Sequence, residues 1–283
     1  MPIAVVTDST ACLPKYVVER DRISVVPVQV TIDDTTRDEG VELSSLAVLS
    51  ALNTGKNVTT NHPSPQTFQN LFSTLQMQGY TEVIAIHLSS ELSATYSACV
   101  TAARESAIPV RVVDSRSIGL GLGFAVIAAS SAVRRSLSTY EVAEIAVNKG
   151  KSAKIWLAVE TVDHLRKGGR IGTAQALVGT ALGIKPILEI VAGKVVPFEK
   201  VRTSIRVNSR LVELAVEAAS AFEVKVEIGV QHSGNRDRAD SLAKEIGKAL
   251  PGTSVVVADM GAVLSAHAGP GAVALTVSPI YSN

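Results

Sequence analysis

Cysteine is nearly missing from this 283-residue chain, with only Cys12 and Cys99 present. Two isolated thiols make neither a disulfide framework nor a metal knuckle, and each reads as a small packed hydrophobe. Aromatic residues reach only 4%, which argues against a platform for stacked bases. Neither sign of charge predominates, with 27 Lys and Arg against 26 Asp and Glu. That balance leaves no basic footprint for nucleic acid and no polybasic anchor for a membrane surface. The longest apolar stretch, Ile118 to Val133, holds three glycines and two serines and stops at Arg134 and Arg135. It is too short and interrupted to span a bilayer. The opening MPIAVVTDST lacks the charged and long apolar regions of a signal peptide, so the expected location is the cytosol. No nucleophile elbow, Walker A sequence or HExxH motif occurs. The five histidines (His62, His87, His164, His232 and His267) show no pair at metal-ligand spacing.

What is present is an ordinary globular composition, 46% hydrophobic and 19% charged, long enough for two domains. The first half alternates strand and helix signals. Strands are expected at Ile3–Thr7, Ile23–Ile32, Val83–Leu88 and Val110–Val113. Helices are expected at Leu43–Leu52, after Ser64-Pro65, over Leu92–Ala103 and over Gly119–Arg135, with a capping box at Ser138–Glu141 opening another. This pattern predicts a three-layer α/β/α domain with a mainly parallel sheet over residues 1–151. The remainder, 152–283, predicts a two-layer α/β domain with a mixed sheet. Its features are a strand at Ile155–Val159 and a hairpin turning at Ala192-Gly193. Helices at Ser204–Ala221 and Arg236–Leu250 and strands at Val224–Val230, Ser254–Ala258 and Ala272–Val277 complete it.

The strand before Leu88 discharges into hydroxyls: Ser89, Ser90, Ser93, Thr95 and Tyr96. In an open α/β sheet the crevice beyond the strand carboxyl ends is the usual ligand position. Small neutral donors there suit an anionic or carbonyl group, although Ser90 or Ser93 also suits a plain helix cap. Asp8 and Asp114 end strands and read either as turn caps or as carboxylates that hold a metal or activate a nucleophile. Gly119–Gly123 runs G-x-G-x-G rather than G-x-G-x-x-G, and such glycines more often let a helix pack closely on a sheet.

Seven segments in order carry a more specific signal. They are TDST at Thr7–Thr10, TNHPSP at Thr60–Pro65, LSSELSATYSA at Leu88–Ala98, DSRSIGLG at Asp114–Gly121, LRKGGRI at Leu165–Ile171, GIKPIL at Gly183–Leu188 and AHAGPGA at Ala266–Ala272. Together they resemble the DegV family, the fatty-acid-binding B subunits of bacterial fatty acid kinases. The resemblance implies a long-chain fatty acid between two α/β domains and no catalysis by the chain itself. It further implies an ATP-dependent kinase subunit as partner, acyl phosphate as product and a place in phospholipid metabolism. By resemblance Thr60, Ser93 and His267 hold the carboxyl group, Arg170 lies near it, and Arg202 matches a position linked to the kinase contact. No cofactor is implied beyond the fatty acid ligand. Ala94 and Ala274 replace glycines common in the family, and Asn61-His62 replaces a commoner Ser-Gln. Ile184, Ile187, Leu188 and a helix over Ala176–Leu182 are the candidates for an apolar tunnel. The competing reading is an acyl hydrolase or phosphotransferase using Ser93 or Asp8.

Overall fold

The computed structural model describes residues 2–177 and 183–281. The chain begins β1 (Ile3–Asp8), α1 (Lys15–Asp21), β2 (Ile23–Val26), β3 (Gln29–Ile32), β4 (Thr35–Asp38), α2 (Ser45–Asn53) and β5 (Val58–Asn61). There follow α3 (Pro65–Met77), β6 (Glu82–His87), α4 (Thr95–Ala103), β7 (Val110–Asp114), α5 (Leu120–Arg134) and α6 (Thr139–Ser152). The second half runs β8 (Lys154–Ala158), α7 (Asp163–Lys167), β9 (Lys185–Val191), β10 (Lys194–Val201) and α8 (Ser204–Ala221). It ends with β11 (Val226–His232), α9 (Arg236–Ala249), β12 (Ser254–Asp259), α10 (Gly261–Ala268) and β13 (Val273–Pro279).

Four strands, in the order β2-β1-β6-β7, form a fully parallel sheet. Its strands alternate between two buried faces, as the period of two requires. Ala4, Val6, Val83 and Ala85 meet Phe68, Phe72, Cys99 and Ala102 of α3 and α4. Val5, Ile84 and Ile86 meet α1, α5 and α6 through Val17, Leu122, Val126 and Val142. The expected three layers are therefore present. The glycines of α5 serve packing: a Cβ on Gly121 would collide with Ser117 and Ile155, and one on Gly123 with the Ala11 carbonyl. The dinucleotide reading of that motif ends there.

Six strands, in the order β10-β9-β8-β13-β11-β12, form a mixed sheet in which only β11 and β12 pair in parallel. Helices α8 and α9 cover one face, where Leu211, Leu214, Leu242 and Ile246 bury Trp156, Ile187, Ile228, Val230 and Leu275. The opposite face, bearing Ile155, Leu157, Ile190, Gln231 and Ala274, is turned toward the first half of the molecule.

Two expectations need correction. The strand read as Ile23–Ile32 is two strands, broken at Pro27, because proline cannot continue a ladder of N–H donors. The second part, β3, joins β4 and β5 in a small antiparallel sheet that the sequence reading missed. No helix is expected between the strands Ser254–Ala258 and Ala272–Val277, yet Gly261–Ala268 forms α10. That helix packs Ala262, Val263 and Ala266 against Val28, Val30 and Val48 of the first half.

A second tie between the halves is ionic. Lys149 of α6 is 5% exposed, donates to the Pro279 carbonyl at 2.6 Å and pairs with Glu227 at 2.5 Å. Removing one partner of such a pair strands the other charge. Glu227→Ala should therefore cost about 2–3 kcal/mol in urea unfolding, whereas the exposed pair Lys15–Glu19 should show a negligible change on Glu19→Ala.

Candidate functional site

The uncovered face of the six-stranded sheet forms the floor of a narrow slot. Its walls are the slot-facing stripe of α10, Leu88 and Leu92 beyond β6, and Ile118-Gly119 before α5, with Val28 and Thr60 of the small sheet completing them. On α10 the stripe is Val263, Leu264, His267 and Ala268, with Met260 just before the helix. These positions repeat at three- and four-residue spacing, one face of a helix. The cavity volume is about 90 Å³, so the slot is narrow. That shape favours an unbranched chain over a ring system.

One end of the slot is polar, and residues far apart in sequence meet there. Thr60 on β5, Ser93 before α4, Arg170 after α7 and His267 in the last turn of α10 all line it. Thr60 Oγ1 and His267 Nε2 are 2.8 Å apart in a hydrogen bond. His267 Nδ1 is sealed from solvent and has no hydrogen-bond partner among the described residues. Burial, followed by the positive charge of Arg170, pushes the imidazole pKa down to about 4, so the ring is neutral at pH 7. A neutral imidazole donating through Nε2 to Thr60 leaves the threonine hydroxyl free to donate onward into the slot.

The backbone places these groups. Arg170 is held by the Leu92 carbonyl at 3.0 Å and the Gly168 carbonyl at 2.7 Å. Both acceptors are neutral, so the guanidinium charge stays available. A side chain on Gly168 would strike His267 Nδ1, so this glycine is what lets the imidazole lie against the turn. Ser93 Oγ accepts from Thr95 N at 3.2 Å and shares a 2.9 Å bond with Thr95 Oγ1. The alanine at position 94 sits at φ −79°, ψ 6°, a right-handed conformation open to any residue. Its extra methyl therefore does not distort the turn that presents Ser93. Ala274 stands on the slot floor.

Other candidates fall outside the slot. Ser90 donates to Asp114 at 2.6 Å, and Asp114 also accepts from the backbone of Ser90 and Arg116. Asp8 is fully buried, accepting from Thr10 N and Leu88 N and bonding His87. Both carboxylates thus behave as turn and loop caps. Tyr96 lines a separate surface groove with Asp114. Arg202 is exposed just past β10. Among the tunnel candidates, Ile187 faces α8 on the far side of the sheet, and neither Ile184 nor Leu188 lines the slot. Ile190 lines it instead, on the same face of β9 as Leu188. Of the helix expected over Ala176–Leu182, residues 176 and 177 end a 3₁₀ segment, Gly172–Leu177, and residues 178–182 lie outside those described.

Among the described residues no cluster of three or more His, Cys, Asp or Glu could hold a metal ion, and no helix is long and apolar enough to cross a membrane.

Fold and site together define a class: a three-layered and a two-layered α/β half enclosing an apolar slot that ends in neutral and basic donors. The model of the DegV family, described as an uncharacterised protein family, matches residues 2–279, and the chain belongs to that family. It is similar to a DegV domain-containing protein of Streptomyces coelicolor, 40% identical over 277 residues and covering 98% of each chain. Among solved structures it resembles one described as fatty acid binding of a DegV family protein from Thermus thermophilus. There the TM-score is 0.92 and identity 28%, over 99% of this chain and 100% of that one. It also resembles DegV, a fatty acid binding protein from Bacillus subtilis, with TM-score 0.90 and 31% identity over 99% and 100% of the two chains.

Proposed function

We propose that the chain binds a long-chain fatty acid in the slot and carries no chemistry of its own. It presents the carboxyl group to an ATP-dependent kinase subunit, which forms the acyl phosphate. The observation behind this reading is the meeting of Thr60, Ser93, His267 and Arg170 at one end of a narrow apolar slot. The two halves, taken as domains 1–151 and 152–283, each contribute part of that wall. The carboxylate would accept from the Thr60 and Ser93 hydroxyls, with Arg170 supplying the nearby positive charge. Arg202, exposed and away from the slot, is proposed as a contact for the kinase subunit. We place the protein in the cytosol, feeding phospholipid synthesis.

Magnitudes support a carrier. Hydrogen bonds to a charged acceptor are worth about 1.5–3 kcal/mol each, and a few of them roughly offset the several kcal/mol needed to bury a carboxylate. The head group therefore sets orientation. Affinity comes from the tail, at about 0.8 kcal/mol per buried CH₂, or about 12 kcal/mol for fifteen, less the entropy of association.

The hydrolase reading is weaker. A nucleophilic serine needs a base in hydrogen-bond reach, and the partner of the Ser93 hydroxyl among the described residues is Thr95. Asp8 is committed to its loop.

Mass spectrometry of the denatured purified protein should release one fatty acid per chain. Thr60→Val and Ser93→Ala should each raise the dissociation constant ten- to a hundredfold by removing one charge-assisted bond. Melting of the lipid-free variants should stay close to wild type. Mixed with the kinase subunit and ATP, the loaded protein should give an acyl phosphate trappable with hydroxylamine, and the chain alone should give none. Lipid-free protein that also refuses added fatty acid would overturn the reading.

A further inference from the structure

Away from the polar end, near the start of α10, the slot contains a polar group that head-group binding does not use. Gln231 of β11 is 2% exposed and belongs to the lining. Its neighbours Ile228 and Val230 face α8 and α9, so the alternation of the strand turns Gln231 to the slot side. The amide orientation follows from its partner. Leu120 N–H, which can only donate, points at Gln231 Oε1 at 2.8 Å. That leaves Nε2, with two donor hydrogens, buried and without a partner among the described residues. The polar side chain that approaches it is Cys12. The Cys12 thiol donates to the Thr10 and Met260 carbonyls, and its sulfur, a weak acceptor, can take at most one of the two Nε2 hydrogens.

A buried amide donor on the lining of the slot, with at best a weak sulfur acceptor beside it, asks for a stronger acceptor from the occupant. We propose that Gln231 Nε2 is a specificity contact for an acyl chain carrying a mid-chain oxygen, a hydroxy or oxo fatty acid. The proposal rests on the fatty-acid reading above and narrows its substrate class. The position can be bounded. Gln231 and Met260 line the slot at the start of α10, and His267 lies seven residues further on. At 1.5 Å per residue that is about 10 Å. An extended chain advances about 1.1–1.2 Å per bond, judged from 3.3–3.6 Å per three-bond residue. The oxygen is thus expected near the ninth to eleventh carbon.

Delipidated full-length protein would be titrated calorimetrically with stearate, 10-hydroxystearate, 10-oxostearate and 2-hydroxystearate. The two mid-chain oxygenated acids should bind at least about tenfold more tightly than expected from their lower hydrophobicity alone, and no more weakly than stearate. The 2-hydroxy acid should show no such compensation. Gln231→Met should weaken both mid-chain acids at least tenfold more than it weakens stearate, so that the preference of wild type for the oxygenated chains is lost. As a second readout that does not depend on the variant folding, the ¹⁵N-labelled Gln231 side-chain amide of wild type should move downfield with 10-oxostearate relative to its position with stearate bound, as a new hydrogen bond to oxygen requires. If stearate binds but mid-chain oxygen brings no compensation, or the compensation survives in Gln231→Met, the inference falls and the fatty-acid reading stands. If no acid binds at all, the fatty-acid reading itself falls.

Discussion

Ala268→Phe should empty the protein of lipid. Ala268 is 4% exposed and closes the α10 stripe beside His267, where the slot meets its polar end. A phenyl ring there projects into the narrow slot, so the tail is expected to be shut out of most of it. Each excluded methylene forfeits about 0.8 kcal/mol. Losing even half of a fifteen-carbon tail would then cost about 6 kcal/mol, more than a ten-thousandfold drop in affinity. Thr60→Val removes a single polar contact and should cost far less. Overpacking typically costs about 1–3 kcal/mol, so the variant should still melt cooperatively. Equilibrium binding of a radiolabelled fatty acid, with a melt of the same sample, separates blocked binding from failed folding.

The second large effect is a pH dependence set by His267. Its folded-state pKa is about 4, depressed from 6.5 by burial and then by Arg170. Above pH 6.5 both folded and unfolded states hold it neutral, and it has no effect on stability. Below 6.5 the unfolded chain takes up a proton that the folded chain refuses. Stability is therefore lost as pH falls from 6.5 to about 4, by about 2–3 kcal/mol once the partial exposure of the ring is allowed for. His164, lowered chiefly by burial, acts in the same direction. Glu39 acts oppositely: burial raises its carboxyl pKa, so its contribution is present in acid and fades as pH rises. Comparing wild type with His267→Gln isolates the imidazole, and the variant should lose about 2–3 kcal/mol less between pH 7 and pH 4 in urea titrations. A carboxylate beside the ring would raise its pKa again. Lipid-loaded protein should then lose less stability in acid than lipid-free protein, and loading near pH 5 should take up protons in calorimetry across buffers of different ionisation enthalpy.

Much of this architecture is legible in the sequence because its signals are local. The Ser138–Glu141 capping box opens α6, the Ala192-Gly193 turn joins β9 to β10, and α8 spans Ser204–Ala221 as its periodicity indicates. The motifs also place Thr60, Ser93, Arg170 and His267 on one slot. What was missed depends on long-range partners. Four-residue strands such as β5 have too little pattern to stand out, so the sheet that holds Thr60 was invisible. In α10 the stripe Met260, Val263, Leu264, His267 and Ala268 was there to be found, but a histidine within it and only eight helical residues obscured it. Ile187 packs toward α8 rather than the slot, because period two says which residues share a face and not which face meets α8. Gln231 reads as an ordinary polar strand residue until Leu120 fixes its amide.

The most direct test is a crystal structure of the protein saturated with palmitate. The account predicts continuous density along α10, with the carboxylate within hydrogen-bond distance of Thr60 Oγ1 and Ser93 Oγ and the tail running past Leu264 toward Met260. A slot closed by side chains, or palmitate bound elsewhere with its carboxylate away from Thr60, would contradict it.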